Sequence, residues 1–356
     1  MNRIQILAVV GLIMIGIHSV RVIDASGMLL SLKPIELEQC EASTGLVGAE
    51  DITIDRKNRV AYISVDDARL FQSGVDIDLI ENGGIWLLDL KQPNSLPVKV
   101  ELDIAGPFHP HGFSMLYEGD KAVELYVINH LDLVTHEIDI FTLGESGKLT
   151  LRRRVTYPEL IAPNDIVAIG KDQFFVTNDH SSDDSWLMRA LEDYLGIPWS
   201  SVSYFDGQQG HLVIDDLRYP NGVAISDDQT TLYVAETTAR RISRFVKGET
   251  SLDWELQDRI NLDMAPDNIE WDGHGSLLVA GHPKLFDFMT HKKDPEVISP
   301  SEVIRIDVAH NPVNYETLYR NFGEGISGSS VAAQLDKTLL IGSVLEHSLR
   351  CSTNTK

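Results

Sequence analysis

Nine residues spread over most of the chain share one local setting. Glu50, Asp51, His111, Asn164, Asp165, Asn221, Asp267, Asn268 and Ser329 each stand where polar or small residues run into an apolar strand. Asp and Asn are disfavoured inside strands and common in the turn just before one, so any one of them has a plain turn reading. That reading weakens when five of six such starts carry an oxygen-bearing side chain or a His at one register. Carboxylates mixed with amides, without Cys, are the donors of a hard cation. Ca²⁺ takes about six to eight oxygen ligands, Mg²⁺ keeps more water, and Zn²⁺ asks for nitrogen or sulfur. Gathering two or three carboxylates in an interior without a cation is costly. Adjacent strand residues point to opposite faces, so the doublets Glu50-Asp51 and Asn164-Asp165 can serve two positions and allow two stacked ions.

Histidines form the second group. His111, in Phe108-His-Pro-His-Gly112, and His130, in Val127-Ile-Asn-His130, begin and end one strand–turn–strand unit. Such a pair can relay a proton and poise a water; it can equally be a structural hydrogen-bonding pair. His180 in Thr177-Asn-Asp-His180 and His282 in Gly281-His-Pro283 end equivalent strands and read as pocket lining. There is no Gly-x-Ser-x-Gly elbow, which argues against a serine acyl-enzyme and leaves water as nucleophile. The base is either the His111–His130 pair or a carboxylate such as Glu50 or Asp267.

The elements that must position these groups are repeats. Segments starting at Glu50, His111, Asn164, Asn221, Asn268 and Ser329 lie 61, 53, 57, 47 and 61 residues apart, each an apolar strand, a short turn and a second strand. That period is the signature of a β-propeller with one four-stranded blade per repeat. The expectation is an all-β, six-bladed propeller over 28–356, its first strands lining a central channel. Between Asp183 and Trp199 the spacing of Trp186, Leu187, Ala190, Leu191, Tyr194 and Leu195 switches to a helical period. Ser181, Ser182, Asp183 and Asp184 offer caps. A helix there would lie over one face as a lid, a membrane-surface helix or plain packing; the acidic polar side, with Glu192 and Asp193, favours the lid over the membrane.

Residues 1–27 read as a signal peptide or signal anchor: Arg3, then an apolar run from Ile4 to Ile17. The run is short for a spanning helix, which needs about 20 residues. The cleavage motif Asp24-Ala25-Ser26 is weak, so peripheral membrane association through a retained segment stays open, as does a buried helix. The chain is expected to be secreted or otherwise extracytoplasmic. The only two cysteines, Cys40 and Cys351, flank the repeats and in an exported chain read as a disulfide rather than two free thiols. With 53 acidic against 30 basic residues and a formal charge of −23, nucleic acid is not an expected partner. The acidic excess serves solubility or cation binding.

From about Leu37 to Cys351 the chain resembles the paraoxonases, a family of calcium-dependent lactonases and arylesterases. The resemblance rests on Gly48-Ala-Glu-Asp-Ile, His109-Pro-His-Gly-Phe-Ser, Val127-Ile-Asn-His, Asn164-Asp-Ile-Val-Ala-Ile-Gly, Thr177-Asn-Asp-His, Tyr219-Pro-Asn-Gly-Val, Asp267-Asn-Ile and Gly281-His-Pro. It implies a catalytic Ca²⁺ held by Glu50, Asn164, Asn221, Asp267 and Asn268. A structural Ca²⁺ would be held by Asp51, Asp165 and the backbone carbonyl of Phe113. It also implies a His111–His130 dyad, a Cys40–Cys351 disulfide and hydrolysis of lactones, aryl esters and, by extension, phosphotriesters. Gly281 departs from the free cysteine of mammalian members, and the acidic loop from Asp66 to Gly84 is individual. A calcium-stabilised propeller that only binds partners, and a gluconolactonase-like propeller enzyme, are the alternatives.

Overall fold

The computed structural model describes residues 22–356 apart from 44, 145–146, 311–312 and 354–356, together with 5, 16 and 20. The apolar run Ile4–Ile17 therefore lies largely outside the described residues. No described helix is long and apolar enough to cross a membrane.

The described residues form an all-β propeller-like assembly of mostly antiparallel strands with few helices. Each repeat begins with an inner strand: Ala49–Asp55, Pro110–Glu118, Pro163–Gly170, Pro220–Ile225, Ala265–Trp271 and Ser329–Leu335. Each inner strand packs against the next, and the last against the first, so the six make a closed ring. The repeat predicts six separate sheets, but hydrogen bonding groups the described strands into five, of eight, five, four, four and four strands. The difference comes from Ala49, which pairs with both Val65 and Ser343 and so joins the first and last repeats.

Apolar residues of the second and third strands fill the space between neighbouring repeats. Tyr126, Ile128, Phe174, Val176 and Phe205 form one such cluster, and Leu278, Ala280, Val303, Leu339 and Ile341 form another. The short strand Glu41–Ser43 pairs antiparallel with Ser348–Ser352. Beside it Cys40 and Cys351 form the expected disulfide.

Among the described residues, the helices that lie off the strands include α1 (Ala68–Phe71), α2 (Trp186–Leu195) and α3 (Leu285–Lys293). Helix α2 lies within the span from Asp183 to Trp199 where the sequence places a helix. Its cap is Ser185, whose Oγ accepts from Met188 N–H, not one of the four preceding residues. Its buried residue is Glu192, which accepts from Ser181 N–H and Ser200 O–H, while Trp186 is 79% exposed. The acidic side faces the protein because those donors and His180 await it there.

Candidate active site

Every inner hairpin carries a β-bulge at the same place. Pairing slips by one residue between Ala49 and Asp51, Pro110 and Phe113, Pro163 and Ile166, Pro220 and Val223, Pro266 and Ile269, and Ser329 and Val331. The extra residue of a bulge leaves the ladder and re-aims side chains. The residues inside these slips are Glu50, His111-Gly112, Asn164-Asp165, Asn221-Gly222, Asp267-Asn268 and Ser330, so the bulges are what turn polar residues out of an apolar strand. The two glycines permit close approach between inner strands. A Cβ on Gly112 would lie 2.6 Å from the Asn164 carbonyl oxygen, and one on Gly222 2.6 Å from Ile269 N.

The donors converge. Asn268 Nδ2 donates to Glu50 Oε1 at 2.8 Å, Asn164 Nδ2 donates to Asp179 Oδ2 at 3.2 Å, and His282 Nε2 contacts Asp267 Oδ2 at 2.9 Å. These contacts use the amide N–H groups and leave oxygens over. Glu50 Oε2, Asn164 Oδ1, Asn221 Oδ1 and Asn268 Oδ1 are buried with no hydrogen-bond partner. An unpaired buried polar atom costs about 1–3 kcal/mol, so four in one ring of bulges call for a shared partner. All four are hard oxygen donors, which fits Ca²⁺ and not zinc. Among the described residues no group of three or more His, Cys, Asp and Glu forms a metal site; the converging set has two carboxylates, Glu50 and Asp267, and is completed by amides.

A second tier lies along the same strands. Asp51 accepts from Ile52 N–H at 2.8 Å and from Phe113 N–H at 3.0 Å, and Asp165 accepts from Ile166 N–H and Val223 N–H, both at 2.7 Å. Each carboxylate thus ties its own strand to the next. Burial, then Asp51 and Asp267 nearby, push the Glu50 carboxyl well above its ordinary range. Burial, then Glu270, raise Asp51 to about 8, and burial, then Asp51, raise Asp165. Sequence reasoning missed Glu270, although it sits two residues beyond Asn268 and hence on the same strand face.

His111 lies beside the upper tier, its Nε2 3.9 Å from Glu50 Oε1, and its ring centroid is 5.2 Å from that of His130. Burial depresses both imidazoles, His111 to about 4. The two rings come together as expected, but His130 makes its hydrogen bond elsewhere: its Nδ1 is 2.7 Å from Nδ1 of His136. His180 contacts Asp179 at 2.7 Å and Asp193 of α2 at 3.1 Å. Burial opposes its charge, yet the Asp179 carboxylate raises it to about 10. Phe288 of α3 stacks on His282 with centroids 3.6 Å apart. The acidic loop does reach this site: Asp66 binds His109 Nδ1 at 3.0 Å, and Phe71 lies 4.7 Å from the His109 ring. Beside it a recess of about 350 Å³ is lined by Phe71, Val75, Ile77 and Leu133. At Gly281 a Cβ would lie 2.2 Å from the Ala265 carbonyl oxygen, so this backbone leaves no room for a side chain there.

A closed ring of inner strands defines a propeller-like fold, and known proteins share it. The family described as Arylesterase matches residues 31–353. The chain is 33% identical to serum paraoxonase/arylesterase 2 of Bos taurus, over 90% of each chain, and 33% identical to serum paraoxonase/arylesterase 1 of Homo sapiens, over 91% of each. It is 30% identical to serum paraoxonase/lactonase 3 of Oryctolagus cuniculus, over 92% of each. The fold is shared with a luciferin-regenerating enzyme (TM-score 0.55, 14% identity, 90% of this chain and 96% of that one). It is also shared with a gluconolactonase-family structure (TM-score 0.54, 13% identity, 89% and 92%). The chain belongs to the paraoxonase/arylesterase family.

Proposed function

We propose that this protein is an exported, Ca²⁺-dependent hydrolase of lactones and aryl esters, with phosphotriesters as side substrates, built on a six-bladed propeller. The count of six follows from dividing the eight-stranded sheet at the single Ala49–Ser343 pair. The family relatives named for arylesterase and lactonase activity support the ester and lactone chemistry, and the "serum" in their names supports export.

The observation that carries the reading is the set of unpartnered oxygens on Glu50, Asn164, Asn221 and Asn268. With Asp267 they would hold the catalytic ion; Asp51, Asp165 and the Phe113 carbonyl would hold the structural one. A bound ion would supply polarisation of the substrate carbonyl and charge opposite the developing oxyanion. The protein's own part is positional. Asp179 and Glu50 occupy the amide N–H groups of Asn164 and Asn268 and so present their oxygens inward. His282 fixes one oxygen of Asp267. His111 and His130, kept neutral by burial, can take a proton from water at neutral pH. The recess beside Phe71 seats the apolar part of the ester.

Hydrolysis of phenyl acetate and a δ-lactone, each with and without EGTA, tests the reading. Turnover that is lost on chelation and restored by Ca²⁺ is expected. Failure on both substrate classes with Ca²⁺ present removes the enzyme in favour of a binding module.

A further inference from the structure

His130 does not stand as half of a pair. It ends the strand Lys121–His130, and directly across the ladder stands His136, the first residue of the strand His136–Leu143. Their Nδ1 atoms are 2.7 Å apart. On its other side, Nε2 of His136 is hydrogen-bonded to Asp183 Oδ2, and Asp183 Oδ1 accepts from Arg189 Nη1 of α2 at 3.1 Å. The side chains of His136 and Asp183 are 5% and 10% exposed.

This geometry decides which nitrogen of His130 carries its hydrogen. A carboxylate only accepts, so His136 bears its proton on Nε2, and in the neutral ring its Nδ1 is then an acceptor. The close Nδ1–Nδ1 contact needs one hydrogen between two nitrogens, and with His136 neutral it is His130 that supplies it. We infer that Asp183 and His136 are positioning residues that hold His130 as the Nδ1–H tautomer, leaving Nε2, on the far side of the ring, as the basic atom of the site. The inference rests on the hydrolase reading for its catalytic meaning, not for its geometry.

The same chain gives the proton's charge a place to go. When water loses a proton to His130 Nε2, an O–H bond breaks and an N–H bond forms. The His130 Nδ1–H bond then breaks as one forms at His136 Nδ1. His130 ends neutral with its hydrogen on Nε2, and the positive charge rests on His136 against the Asp183 carboxylate. The hydroxide bonds to the acyl carbon. The reverse transfer delivers the proton to the leaving oxygen as the acyl–oxygen bond breaks, so no proton or electron is left over. Because Asp183 lies just ahead of α2 and is held by an arginine of that helix, the covering helix and the histidines are parts of one network.

The test uses the full chain with ¹⁵N-labelled histidine. The His130 signal among the 12 histidines is assigned by its loss in His130→Gln. In the unmodified protein its Nδ1 should resonate as a protonated nitrogen and its Nε2 as an unprotonated one. In Asp183→Asn the His130 tautomers should mix and kcat should fall at least about 10-fold, as for other groups that orient catalytic imidazoles, with KM and the thermal midpoint little changed. In His136→Gln, whose amide oxygen can still accept from Nδ1–H, the tautomer should persist while kcat falls, because Gln cannot take up the charge. A proton on His130 Nε2 in the unmodified protein overturns the assignment, and unchanged kcat in both variants overturns the relay. If the unmodified protein turns over neither ester nor lactone, the hydrolase reading fails by itself, and the tautomer signals still decide this inference.

Discussion

Removing calcium should make the protein's stability fall with rising pH, in a way that restoring calcium abolishes. Asp51 is 3% exposed, and burial, then Glu270, move its carboxyl from 3.8 to about 8. Asp165, Asp267, Glu50 and Glu270 share its surroundings, with Arg56 near Glu270 as the opposing charge. A carboxyl raised on folding stabilises the native state fully below its unfolded pKa, and that stability is lost as pH rises through its folded pKa. The window therefore runs from about pH 4 to about pH 8. At about 1.4 kcal/mol per pKa unit, a shift of about 4 units for Asp51 alone caps the loss near 6 kcal/mol, and sharing among coupled groups brings a working figure to about 3–6 kcal/mol. At about 2.1 cal/mol/K of unfolding entropy per residue, a chain of 356 residues shifts by about 1–2 °C per kcal/mol, so the thermal midpoint in EGTA should fall by on the order of 5 °C between pH 5.5 and 8. In millimolar Ca²⁺ the same carboxylates are neutralised and the fall should vanish. Differential scanning calorimetry at matched ionic strength is the assay. Equal midpoints in EGTA at both pH values would mean that the acidic side chains do not meet in the interior.

Other outcomes follow from the same geometry. Asn221→Ala or Asp267→Ala should cut turnover by at least about 100-fold, the scale of losing one oxyanion-stabilising contact, and weaken Ca²⁺ affinity in parallel by isothermal titration. His111→Gln should lower phenyl acetate hydrolysis while Ca²⁺ affinity is retained; full activity on both esters and lactones would exclude His111 from the chemistry. Cys351→Ser releases a link between residues 311 apart in sequence, which the loop-entropy estimate puts at about 5 kcal/mol, so urea unfolding should shift to markedly lower denaturant.

The repeat, its inner strands and the polar start of each were legible because strand period and turn chemistry are local. Glu50, Asn164, Asn221, Asp267 and Asn268 could be picked out since an Asp or Asn in an apolar strand breaks a local rule, and broken rules gather at sites. The bulges that aim them were not legible, because a one-residue slip depends on the partner strand. His136 looked like any surface histidine: its meaning comes from standing across the ladder from His130 and from Asp183, 47 residues away. Which side of α2 turns inward was not legible for a similar reason. Its periodicity marks an apolar stripe at Trp186, Leu187, Tyr194 and Leu195, but which side turns inward was settled by Ser181, Ser200 and His180 awaiting carboxylates. The grouping into five sheets turned on a single backbone pair at Ala49.

The pairing of Glu41–Ser43 with Ser348–Ser352 has a consequence for biogenesis. The bridged residues Cys40 and Cys351 beside this pairing are 311 apart in sequence, so the earlier strand waits unpaired until translation reaches the later one. Its contacts are strongly non-local, and non-local pairing is slow and exposes edges that aggregate. A product truncated before Ser348 would forfeit both the seam and its covalent lock. Yield should therefore depend on an oxidising folding environment far more than the small number of thiols would lead one to expect.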